Sequence, residues 1–323
     1  MFLLTQIAIA IQAALGMQGA TYALAGVGLN VQFGYTGLSN FGVVGFMLVG
    51  GYGVGVAADQ GWPVWAGVLL GVGAAIVLAL VMGLPTLRLR GDYLAIVTIA
   101  VAEILRLVAN AKDSADITGS AQGLQIPEKV FQGYNPFPSG HYGLGDSLTF
   151  TERQLWGMLW TWGLVALTSL LVWGLMRSPW GRVLRSIRED EDAARALGKN
   201  VVAYKLQAFV LGGIIAALSG MMIAHNAQGV NPTTWVAPVT FALYVVVILG
   251  GPGRVLGPIL GAVIYWFLLQ LADGILSNLW FNISGTTIGA VRLALVGLGL
   301  MLLMVFRPQG ILGDRREMSI DAR

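Results

Sequence analysis

RSPWGRVLRSIREDEDAARALGK, residues 177–199, is a charged island in an otherwise apolar chain. It places ten charged side chains in 23 positions, in a chain with only 19 basic and 16 acidic residues. Uncharged runs flank it, 154–176 before it and 206–253 after it. Runs of that length cross a bilayer, so charge concentrated between them belongs to a connection on the water side. That reading decides the fold: the flanks are membrane spans, and the island is a segment that something in water can touch.

Composition agrees. The chain has 323 residues, 56% hydrophobic and 11% charged, and a mean hydropathy of +0.74. A soluble domain carries about 25% charged residues. The expected fold class is all-α, a polytopic helical membrane bundle in a single domain over residues 1–323. A membrane barrel needs short alternating segments, which this sequence does not contain. With no cysteine, disulfides and thiolate metal sites are excluded. The N-terminal MFLLTQIAIA has no basic residue before its apolar run, so it is expected to be the first span and not a cleaved signal peptide.

Spans are expected near 7–29, 40–58, 64–84, 93–110, 154–176, 205–225, 235–251, 256–273 and 286–306, about nine with a range of eight to ten. Residues 31–39 are too polar and Gly-rich for lipid-facing helix and are expected as a loop or a break between half-helices. With nine spans, 14 of the 19 basic residues fall on one side, among them Arg88, Arg90, seven residues from Arg177 to Lys205, Arg254 and Arg307. By the positive-inside rule that side is cytoplasmic, with the C-terminus inside and the N-terminus outside. The 111–152 connection, rich in Gly and Pro, is external and expected to form turns and a short helix. Small-xxx-small pairs Gly51/Gly55, Gly67/Gly71, Gly253/Gly257 and Gly257/Gly261 point to close helix packing.

Within the island, Ser178-Pro179 is an N-cap followed by a first helical residue. A second short helix is expected to start near Glu189, with Glu189, Asp190, Glu191 and Asp192 in its first turn, where acids suit the helix dipole. Gly198 suits its end. Ala193, Ala194 and Leu197 between them give a compact surface able to enter a partner's groove. A basic loop that only sets topology needs neither the acids nor the alanines. Four interrupting acids also argue against a lipid-binding polybasic segment.

Asp192-Ala193-Ala194, three residues, then Gly198 resembles the EAA-x-x-x-G cytoplasmic loop of ABC-importer permeases. The frame SPWGRVLRSIREDEDAARALGKNVVAYKL (178–206) resembles branched-chain amino acid permeases of the LivM type. So do GLNVQFGYTGLSNFG (28–42), LRLRGDYLAIVTIAVAEILRLV (87–108), TGSAQGLQIP (118–127), ILGGPGRVLGPILGA (248–262) and FRPQGILG (306–313), in family order. The sequence departs from the family at Val43, where a His is usual, at Asp192 in place of the EAA glutamate, and at Ser120-Ala121-Gln122. The resemblance implies an ABC-importer permease fold and a non-catalytic transport subunit for branched-chain or other hydrophobic amino acids. It implies four protein partners, a second, LivH-type permease, two cytoplasmic ATPase subunits and a periplasmic binding protein, together with the membrane lipid of a bacterial inner membrane. It makes 177–200 the coupling loop. No G-x-x-x-x-G-K-[ST] motif is present, so ATP hydrolysis belongs to the partners. No cofactor, metal or nucleic acid is expected; His141 and His225 are isolated.

Polar residues inside spans are the other candidates. Glu103 and Arg106 lie three apart, on one helix face, and Arg292 lies in the last span. Glu103 is expected to pair with Arg106 or Arg292, as a packing clamp or as a contact for substrate charge. Asn30, Tyr35, Thr36, Ser39 and Asn40 are candidates for lining the translocation pathway. Rival readings are an ABC permease for urea or short-chain amides and an ion-coupled secondary carrier, which needs ionisable groups at the midplane.

Overall fold

A computed structural model describes residues 2–87, 91–127, 135–138, 140–144, 148–279 and 309–313, with scattered positions between 289 and 301. Helices α1 (Phe2–Leu15) and α2 (Met17–Thr36) are followed by α3 (Val43–Asp59), α4 (Val64–Thr86) and α5 (Gly91–Asn110). A single turn, α6 (Ala115–Thr118), precedes α7 (Glu152–Arg177). Two short helices follow, α8 (Pro179–Glu189) and α9 (Glu191–Ala196). The chain continues with α10 (Val201–Ala227), α11 (Ala237–Gly250) and α12 (Gly257–Leu279).

Among the described residues, five helices are long and apolar enough to cross a membrane: α4, α5, α7, α10 and α12. The pair α1–α2, bent by 41°, makes a sixth if it is one broken span, and α3 and α11 are shorter apolar helices. The expected count of nine is therefore not reached here, and the span expected at 286–306 lies largely outside the described residues. Exposed Leu, Ile and Val side chains stud the outer faces of α4, α5 and α7. An apolar outer surface is what hydrocarbon solvates.

Helix α2 is the centre of the bundle, with 17 of its 20 residues buried. It packs against α10, α12, α7 and α11. The crossing with α10 depends on glycine: a Cβ on Gly28 would lie 2.6 Å from the Gly212 carbonyl oxygen, so any side chain there would separate the backbones. Residues 31–36 are not the loop expected from their polarity. The helix runs through them to Thr36, and Gly37, at φ +72°, ends it. Their polarity reflects burial against protein, where the Gln32 amide has partners at Phe209 and Asn40.

Antiparallel pairing of β1 (Leu124–Gln125) with β4 (Gly229–Val230) ties the 111–127 segment to the α10–α11 connection. A hairpin of β2 (His141–Leu144) and β3 (Leu148–Thr151) leads into α7, whose N-terminus carries a Thr151/Gln154 capping box.

Candidate functional site

The island folds as two helices at an angle set by one residue. Ser178 caps α8 by accepting from the Trp180 backbone N–H, with Pro179 in the first turn. The first helix then runs through Glu189, further than its acids suggest. Asp190 turns the chain in extended conformation, φ −153°, and its side chain accepts from Ala193 N–H at 2.9 Å as the N-cap of α9. The second helix therefore starts at Glu191, not Glu189, and only Glu191 and Asp192 occupy its first turn. Gly198, at φ +77°, ends the segment, and Lys199 N–H returns to the Ala194 carbonyl oxygen at 3.2 Å. A β-carbon there would be strained at that φ although nothing lies within 4 Å of it.

The compact surface expected from Ala193, Ala194 and Leu197 divides between two faces. Ala194 is 2% exposed and packs with Ile187 and Val201, so it glues α9 to α8 and α10. Ala193 lies on the outer side, and Leu197 is 78% exposed. The two candidate acids divide likewise. Glu191 pairs with both Arg195, at 2.9 Å, and Lys205 at the start of α10. Asp192 pairs with Arg195 at 2.8 Å and its side chain is otherwise turned to solvent, 89% exposed. Glu191 is thus an internal tie, and Asp192 with Leu197 forms the outer face.

Helix α8 holds this unit to the bundle. Gly181, Leu184 and Ile187 are its buried face, packed on α2, α7 and α10. Arg185 Nη2 donates to the Met176 carbonyl oxygen at 2.8 Å, and Arg188 Nη1 donates to the Gly34 carbonyl oxygen at 2.6 Å. Both acceptors are in the last turns of spans, α7 and α2, where carbonyls lack helical partners.

The Gly-rich 28–42 segment lies beside this attachment. Asn30 is clamped to the α11–α12 connection: Nδ2 donates to the Arg254 carbonyl and Oδ1 accepts from Gly253 N–H, each at 2.9 Å. Gln32 donates to the Phe209 carbonyl of α10 and accepts from Asn40 Nδ2, both at 2.8 Å. Thr36 donates to the Val31 carbonyl. Tyr35 is buried and Ser39 half-buried. Gln32, the hub of this network, was not singled out from the sequence; an amide in an apolar span was the available signal.

Glu103 and Arg106 pair with each other through two bonds, 2.9 Å from Nε and 2.5 Å from Nη2. They do not face the interior of this bundle. Their side chains are 44% and 19% exposed, beside the outward Ile104 and Leu107 of α5. Arg292 lies outside the described residues.

Comparison with known proteins returns one family across nearly the whole chain. The family model described as branched-chain amino acid transport system / permease component matches residues 11–306. The high-affinity branched-chain amino acid transport system permease protein LivM of Salmonella typhimurium is 31% identical over 301 residues, 90% of this chain and 67% of that protein. A probable branched-chain amino acid transport permease protein LivM from Methanocaldococcus jannaschii is 25% identical, with 91% of each chain covered. The LivH permease protein of Escherichia coli is 24% identical over 91% of this chain and 92% of that one.

Proposed function

The chain belongs to the family of branched-chain amino acid transport permease components, and from that premise we propose that it is one half of the membrane pathway of an ATP-driven importer. Its cargo is a branched-chain or other hydrophobic amino acid. A second, LivH-type permease completes the pathway, two cytoplasmic ATPase subunits drive it, and an external binding protein delivers the substrate. In this reading the protein sits in a bacterial plasma membrane with the island inside, the C-terminus inside and the N-terminus outside.

The α8–α9 pair carries the proposal. It is a small helical unit with a charged cap, an outward Leu197 and Asp192, and hydrogen bonds and ion pairs into three spans. A force on its outer face reaches α2 through Arg188 and α10 through Lys205. Rigid-body movement of packed helices is a recognised way to convert such a local displacement into a global one. A carrier driven by an ion gradient has no use for this device.

For the pathway, the outward Glu103–Arg106 pair is the strongest of the candidates. A charged pair facing hydrocarbon is costly, so this face of α5 is assigned to the water-lined cleft or interface shared with the second permease. Asn30, Thr36 and Asn40 are committed to bonds within the chain and act as the clamp at the cytoplasmic end of α2. Tyr35 and Ser39 border that clamp.

The test is co-expression with the neighbouring subunits, purification on a tag on this chain, and reconstitution in proteoliposomes. Supporting results are co-elution of an ATPase and a second permease, and ATP-dependent leucine uptake. Recovery of the chain alone, or uptake driven by a proton gradient without ATP, contradicts it. Uptake of urea but not leucine moves the cargo within the same machine.

A further inference from the structure

Three arginines of the island part company with Glu191 and Asp192. Arg177, Arg185 and Arg188 turn toward α2 and the α11–α12 connection, where Arg254 joins them around a cleft of about 410 Å3. Glu191 and Asp192 lie on the far side of the Asp190 turn, held by Arg195 and Lys205. Among the described residues lining the cleft none is acidic. The objection that acids interrupt the basic sequence therefore lapses in three dimensions.

The cleft has two characters. Its basic side includes Arg185, whose bond to Met176 uses one of the five N–H donors of a guanidinium. Arg177 lies 3.9 Å above the ring of Trp173. Its apolar side is formed by Trp173, Leu256 and Leu312, all exposed at the surface of the bundle. The cleft opens where the apolar run of α7 meets the charged island, so its arginines stand at the edge of the hydrocarbon layer and its indole within it.

We propose that this cleft binds the phosphate of an anionic membrane phospholipid, with Arg177 and Arg185 on the phosphodiester and the acyl chains along Trp173 and Leu256. Guanidinium is the side chain that matches phosphate by paired donors. Basic pockets at the cytoplasmic ends of membrane helices suit anionic headgroups. The apolar wall favours a lipid over free phosphate, which has nothing to set against it. A lipid seated here touches α7, α8 and the α11–α12 connection together, and so braces the end of the bundle to which the helix pair is attached. The inference rests on the membrane assignment and not on the cargo or the ATPase.

Native mass spectrometry of the full chain in detergent, titrated with phosphatidylglycerol, tests it. The wild-type chain is expected to retain one phosphatidylglycerol. Arg177→Gln combined with Arg185→Gln is expected to weaken retention about 30-fold, from the loss of two interfacial cations. Arg182→Gln removes the same charge outside the cleft and is expected to change nothing. Should the double variant fail to fold, Arg177→Gln alone breaks no backbone bond seen here and is expected to weaken retention about fivefold. Equal retention by wild type and the cleft variants overturns the proposal. So does displacement of the lipid by millimolar inorganic phosphate, which would mark a free-anion site. The readout is binding alone, so its failure leaves the transport reading standing, and failure of ATP-dependent uptake leaves the lipid site standing.

Discussion

Arg188 donates a 2.6 Å hydrogen bond to the carbonyl oxygen of Gly34, across 154 positions of sequence. Gly34 is in the last turn of α2. The neighbouring carbonyls of Gln32 and Phe33 are closed by the backbone N–H groups of Leu38 and Gly37. The Gly34 carbonyl has no helical donor left, and a guanidinium from the charged island supplies one. Arg185 does the same for Met176 at the end of α7. The charged helix is thus the C-terminal cap of two spans, and moving it disturbs both.

Replacing Arg188 by Gln is therefore expected to loosen α8 from α2 without unfolding either. Charge-assisted bonds of this kind contribute about 1.5–3 kcal/mol. The amount of substrate moved per ATP hydrolysed should fall about tenfold or more, while the purified complex keeps its subunits. Transport and ATPase assays on one preparation of proteoliposomes measure that ratio. An unchanged ratio would show that force does not travel through this bond.

Leu197 and Ala194 are expected to behave oppositely. Leu197→Asp changes an outer side chain, 78% exposed, and should abolish ATPase retention in a pull-down with no change in the chain's melting temperature. Ala194→Leu forces a larger side chain between α9, α8 and α10. Overpacking costs about 1–3 kcal/mol, so this variant should melt earlier even without partners. Thermal melting beside pull-down separates the two.

Asp190 sets the angle between α8 and α9 through its bond to Ala193 N–H. Asp190→Asn keeps a cap and should be close to neutral. Asp190→Ala should cost about 1 kcal/mol of local stability, seen as faster amide hydrogen exchange across Glu191–Ala196. Equal exchange in the two variants would mean that packing of Ala194 alone holds α9.

For Glu103 and Arg106, the pair matters more than either charge. Glu103→Gln leaves Arg106 without its counter-charge on the face assigned to the second permease, and should destabilise the assembled permease by about 1 kcal/mol or less. Glu103→Gln with Arg106→Gln should recover part of that loss. Transport measured on the same set assigns the role: recovery of stability without recovery of uptake marks a functional charge, and recovery of both marks a packing clamp.

The membrane class and the helical unit at 177–199 were legible because each rests on a local signal, unbroken apolar runs in one case and caps with a stop glycine in the other. Ser178, Pro179 and Gly198 did what their backbone preferences require. The boundary at Glu189 was missed because a run of four acids does not say which one leaves the helix; Asp190 does, since its short side chain reaches Ala193 N–H. The helix at 31–36 was missed for a deeper reason. Polarity in a span reads as loop unless the partners of each amide are known, and the carbonyls to which Asn30 and Gln32 donate lie more than 170 residues away. The outward aspect of Glu103 was equally hidden, because spacing fixes a common face for Glu103 and Arg106 but not the direction in which it points. The gathering of Arg177, Arg185 and Arg188 around one cleft was hidden too, because it is completed by Arg254, which no local pattern connects to them.

The central claim is that an ATPase rests on the outer face of α9. The chain has no cysteine, so Leu197→Cys is its sole thiol, and site-specific cross-linking of the co-purified complex addresses that face directly. The account predicts a cross-link from position 197 to the ATPase subunit, with its yield changed by ATP, and protection of the thiol from maleimide in the complex relative to the isolated chain. A thiol that labels equally fast in both, with no cross-link in any nucleotide state, would contradict it.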